Sequence, residues 1–179
     1  MAGRFHIPLA ADQRSVAVEL QGMLVDLIDL TLIGKHAHWN VEGSHFRSVH
    51  DQLDELVDAW RELSDDVAER AVTIGASPDG QAETIAGSTE LESLPAGHLS
   101  DQRVLVAIAD RLGDVVSRTR TRIERVSADD PVTSDLLVRA AAVLEKQLWM
   151  IRAQTASTKP GAASKIDPQL YDANGVRRS

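Results

Sequence analysis

The chain contains no cysteine. That absence removes disulfides, thiolate-bound zinc and iron–sulfur clusters, so any metal must be held by His, Asp or Glu. Aromatic residues are scarce, at 3%, and Leu, Val and Ala must therefore fill the core. No stretch approaches the ~18 consecutive apolar residues of a membrane-crossing helix. The opening MAGRFHIPLAADQRS also lacks an apolar run of signal-peptide length, which makes a cytoplasmic protein the expectation. Positive charge is in deficit, with a formal net charge of −8, and this argues against a uniformly basic nucleic-acid binder. Strand signals are missing, and so are a phosphate loop, a dinucleotide glycine fingerprint and a nucleophile elbow.

What the 179 residues do contain is helical periodicity, at a length suited to one compact domain. Apolar residues recur every three or four positions from Val16 to Val41 and from Val49 to Val67, then from Leu105 to Val126 and from Leu137 to Ile151. The connections are short, long and short. NVEGS joins the first pair, with Ser44 as the expected N-cap. A Gly/Pro/Ser-rich crossover after Gly75 is expected to hold a short helix around STELES. SADDPVTS joins the last pair, with Pro131 in a first helical turn. The predicted fold is all-α: a ferritin-like four-helix bundle over residues 1–154, assembling as a homo-oligomer. Residues 155–179 are expected to form a flexible tail, in which Lys159, Lys165, Arg177 and Arg178 outnumber Asp167 and Asp172. A solubilising terminus and a nucleic-acid arm both fit that tail. Arg118, Arg120, Arg122 and Arg125 in SRTRTRIER are read as a solvated helix face.

The segment KHAHWNVEGSHFRSVHDQLDEL, residues 35–56, holds four of the six histidines. At ~100° per residue, His38 borders the apolar seam of its helix while His36 points away, and His45 falls in the turn. On the next helix His50 and Asp54 stack at i, i+4, as do Asp65 and Glu69. Both pairs suit metal ligation, although neighbouring acids offer similar pairs that a solvated face would explain. His50 and Asp65 lie about 22 Å apart along one helix, too far to share an ion within a chain. Both pairs also lean away from their own seam. A metal bound by all of them needs a second copy of the chain, and a twofold interface is the expected geometry, where one chain brings His38, His50 and Asp54 and the other Asp65 and Glu69. Val18, Val25, Ile28 and Leu32 form a second apolar stripe on the first helix, as such an interface needs. Imidazole and carboxylate without sulfur suit Fe(II), with Zn(II) and Cu(II) as competitors.

These motifs, His-Trp-Asn, then His-x-x-x-Asp, then Asp-x-x-x-Glu-Arg, resemble the Dps family, the DNA-binding proteins from starved cells, within the ferritin-like superfamily. The likeness runs on through HLSDQ and LEKQLWMIRA to residue 153. The resemblance implies a hollow homododecamer. Its ferroxidase centres, at twofold interfaces, would oxidise Fe(II), preferably with hydrogen peroxide, and ferric mineral would be stored inside, protecting the cell and its DNA. It places ligands at His38, His50, Asp54, Asp65 and Glu69, with Trp39 and Trp149 near the centre. It also implies an acidic iron-entry pore near the fourth long helix, where Asp129, Asp130 and Asp135 stand; the helix dipole would explain acids there equally well. Nucleoid association, with DNA held through the C-terminal tail, follows for those members that bind DNA. The rival reading is a DNA-compacting scaffold with little iron chemistry.

Overall fold

The structure, a computed structural model, describes residues 11–156. In chain order the elements are α1 (Ala11–Asn40), β1 (Val41–Glu42), α2 (Phe46–Thr73), α3 (Ala82–Ser88), β2 (Leu99–Ser100), α4 (Asp101–Val126) and α5 (Pro131–Ala156). α1 and α2 form one hairpin and α4 and α5 another, and α1 packs on α4 to join them into a bundle. The seams read from the sequence are the core. Leu20, Leu27, Leu30, Leu53, Trp60, Leu112, Leu137 and Leu144 are all inaccessible to solvent or nearly so. Trp60, the largest of them, donates its indole N–H to Gln147 Oε1 at 2.9 Å, so its polar edge is satisfied inside the bundle.

Glycine sets the closest approach within the first hairpin. A Cβ on Gly34 would stand 2.7 Å from both Trp60 and Val57, closer than carbon atoms pack, so α1 lies against α2 only because that side chain is missing. α2 closes on Gly75, at φ +92°. The Gly75 N–H donates to Val72 O and the Ala76 N–H to Ala71 O, the Schellman pairing that satisfies the last carbonyls. Pro131 is the first residue of α5, as expected.

Four features differ from the sequence reading. The N-cap of α2 is His45, without a side-chain cap bond; Ser44 Oγ lies against His45 Nδ1 instead. The carboxylate of buried Asp101 reaches across from α4 and accepts the His45 N–H at 2.8 Å. Gly43, at φ +136°, leaves room for that carboxylate, since a Cβ there would meet Asp101 Oδ2 at 2.6 Å. Next to this contact, Val41 and Glu42 pair in parallel with Leu99 and Ser100, a two-residue ladder too short to leave a pattern in the sequence. The crossover helix lies just before STELES: Asp79 accepts from Gln81 N and Thr84 Oγ1 and so starts α3 early, while Thr89 bonds Asp29 on α1 and holds the following residues out of the helix. Finally, the crossover covers half of the second apolar stripe. Val25 is buried and Gly80 closes over Ile28, leaving Val18 and Leu32 exposed.

Candidate metal centre

His38, on the last turn of α1, and His50 and Asp54, on the first turns of α2, converge because the tight turn folds those two helix ends together. Their ligand atoms all lie within 4.8 Å of one another. The imidazole rings stack at 3.6 Å between centroids, tilted by 23°. Each ring is oriented by the other's backbone: His38 Nδ1 donates to His50 O at 3.0 Å, and His50 Nδ1 donates to His38 O at 3.0 Å. A carbonyl oxygen only accepts, so both Nδ1 atoms carry a proton, and in the neutral rings the lone pair is left at Nε2. This is the support through the far nitrogen that ligand histidines ordinarily have. His38 Nδ1 also lies 3.3 Å from Asp54 Oδ1.

Sequence reasoning missed Lys35. Its ammonium bonds Asp54 Oδ1 at 2.7 Å and lies 5.8 Å from the centroid of Trp39. That bond, with lesser help from His38 and His50 and against some desolvation, holds the Asp54 carboxyl below its ordinary range. Lysine is not a metal ligand at neutral pH, so ligand spacing gives no signal for it. Its place three residues before His38, on the same side of α1, was the available clue.

Asp65 and Glu69 are exposed on the far half of α2 and belong to no ligand cluster with the histidines. Asp65 borders an open depression of about 570 Å³ between α1, α2 and the crossover, floored by Leu24, Ile28 and Ala68. Trp39 and Trp149 are both largely exposed. His36 reaches Pro95 O at 3.4 Å and takes no part in the cluster.

A family model described as a ferritin-like domain matches residues 18–159. Among curated proteins, the DNA protection during starvation protein of Mycolicibacterium smegmatis is 36% identical over 174 residues, covering 90% of this chain and 95% of that one. The chain belongs to the Dps family. A second Dps relative, DNA protection during starvation protein 2 of Deinococcus radiodurans, is 34% identical over 158 residues. This chain spans 66% of that protein's length. The solved tetragonal form of Mycobacterium smegmatis Dps superposes with a TM-score of 0.77 at 33% identity over 98% of both chains. The ferritin-like bundle expected from helix order is therefore the fold.

Of the acids considered for a Dps-type pore, Asp130 is engaged within the chain. It caps α5, accepting from Val132 N and Thr133 N at 3.1 Å each, and bonds Arg70 of α2 at 2.7 Å. Asp135 is exposed and paired with Arg139 one turn on. Of the arginines of SRTRTRIER, Arg120 and Arg125 are exposed as expected, paired with Glu145 on α5 and Glu19 on α1, whereas Arg118 and Arg122 turn inward onto Asp26 of α1. No described helix is long and apolar enough to cross a membrane. The proposed tail lies outside the described residues, apart from Thr155 and Ala156, which complete α5.

Proposed function

We propose that this Dps-family chain is a cytoplasmic iron-storage ferroxidase whose centres are shared between two subunits related by a twofold axis. The observation that carries the reading is the His38–His50–Asp54 cluster, with both imidazoles held at Nδ1 by backbone carbonyls. Nitrogen and carboxylate donors fit Fe(II), and Zn(II) would compete for them. Three donors from one chain leave the coordination of an iron pair unfinished. Asp65 and Glu69 of a second copy would complete it, one face serving each partner. Exposed Leu32 and Trp39 on α1, and the depression beside Asp65, are surfaces that a second copy would cover.

In the reaction, two ferrous ions each give up one electron. One hydrogen peroxide takes both electrons and two protons and leaves as two waters, so no hydroxyl radical escapes. The protein's part is to hold the two ions close together and to release Lys35 from Asp54 as the substrate cation arrives. Protection of DNA by removal of iron and peroxide follows from that chemistry, and storage of the ferric product in a dodecameric shell is what the likeness to the Dps family supports. DNA contact in this reading falls to residues 155–179.

The test is the double variant His50→Ala/Asp54→Ala in a stopped-flow assay of Fe(II) oxidation by peroxide. The expected result is a loss of about 10-fold or more in rate with the oligomer intact; an unchanged rate contradicts the proposal.

A further inference from the structure

Arg118, Arg122 and Arg125 stand at i, i+4 and i+7 on α4 and fall within one narrow arc of it. They face Glu19, Gly22 and Asp26, which stand at the matching spacing on α1. Asp26 is 2% exposed. Its carboxylate binds two guanidinium groups at once: Arg118 Nη2 at 2.7 Å and Nε at 3.0 Å, and Arg122 Nη1 at 2.6 Å. Both guanidinium planes are thereby fixed, and Arg122 is itself only 9% exposed. Their remaining edges, together with Arg125, line an open pocket of about 380 Å³.

Two carboxylates neutralise the three guanidinium groups closely, Asp26 as described and Glu19, which bonds Arg125 at 3.1 Å. The third acid, Glu90 on the crossover, is different. Its side chain is 75% exposed, and it stands 4.0 Å from Arg118 Nη1, beyond hydrogen-bond range. Beyond Asp26, Arg118 is met only at longer range, by this rim carboxylate and by Asp114 one turn back on α4, and Arg122 by Glu19 at 3.9 Å. The space itself depends on a missing side chain, because a Cβ on Gly22 would lie 3.0 Å from Arg122 Nη2 and 3.3 Å from its Nε.

We infer that the α1–α4 pocket binds a phosphate group, which displaces Glu90 and takes the free edges of Arg118, Arg122 and Arg125. Guanidinium forks fixed in advance match the oxygens of phosphate and lose little side-chain entropy on binding. The inference does not depend on the ferroxidase reading. The phosphate is either free or part of a nucleic-acid backbone.

Calorimetric titration of the full-length assembled protein with inorganic phosphate, in buffer free of iron because ferric ions bind phosphate themselves, tests the site. Glu90→Gln, an exposed change that leaves the fold untouched, is expected to tighten binding about 3-fold. Gly22→Ala is expected to weaken it about 10-fold or more by pushing Arg122 into the space. A short DNA duplex that displaces the phosphate identifies a backbone phosphate, and one that does not identifies free phosphate. Absence of binding in both the wild type and Glu90→Gln overturns the inference, as does binding that Gly22→Ala leaves unchanged.

Discussion

Lys35 holds the position at Asp54 that a metal cation would take. With Lys35→Gln the ammonium no longer competes, and Fe(II) is expected to bind the wild-type ligand set several-fold more tightly, as measured by anaerobic titration. Weaker binding would instead make Lys35 part of the site's support. Asp130 is a second residue whose task shows only in three dimensions. Its backbone bonds cap α5 and its Arg70 bond fastens α2 to that cap, so Asp130→Ala is expected to cost about 1–2 kcal/mol in denaturant unfolding for the cap alone. Bonds from Thr133 and Arg70 outweigh desolvation and hold its carboxyl below the ordinary range. The stability it contributes is therefore full above the ordinary carboxylate range and is lost as pH falls through its lowered value. Asp130→Asn, which keeps a capping oxygen but removes the titrating charge, should accordingly flatten the acid side of the stability profile; an unchanged profile would show that the charge contributes little. At this scale, the sequence revealed the candidate ligands because helix spacing places His50 and Asp54 on one side. It could not separate a pore acid from a capping acid, because both tasks favour Asp at a helix start.

The long helices were legible because each buries a continuous seam, and the residues from Val16 to Ile151 that mark those seams are the observed core. Gly34 lies within the first seam, yet it sets how closely α1 and α2 approach. Gly34→Ala is expected to destabilise the protein by about 1–3 kcal/mol through overpacking against Trp60 and Val57. Because the hairpin also brings His38 onto His50, metal affinity should fall with it. Thermal melts and metal titration of one variant check both effects; normal values in both would mean that α2 yields without cost. The short elements were poorly legible for a reason of scale. The limits of α3, the capping of α2 by Asp101 and the β1–β2 ladder are set by contacts between residues 5 to 60 positions apart, and a local pattern carries little trace of them. The arginines of α4 show the same limit. Their spacing on the helix was legible, but the buried Asp26 that turns Arg118 and Arg122 inward lies on another helix.

The whole molecule is where a single chain falls short. The second apolar stripe was read as an interface, and half of it proved to be covered by the chain's own crossover. The case for a partner now rests on Leu32 and Trp39, on the unfinished ligand set, and on acids stranded at the other end of α2. Mixing two variants tests the shared centre most directly. His50→Ala/Asp54→Ala subunits lack the imidazole side of every site, and Asp65→Ala/Glu69→Ala subunits lack the acid side. Each alone is expected to be inactive. In a mixed twofold pair one site loses both halves while the other keeps both, so random co-assembly should restore roughly a quarter of the wild-type sites. Recovery of about that fraction of Fe(II) oxidation by peroxide is the predicted result. Co-assembled particles that stay as inactive as either parent would contradict a centre shared between two chains.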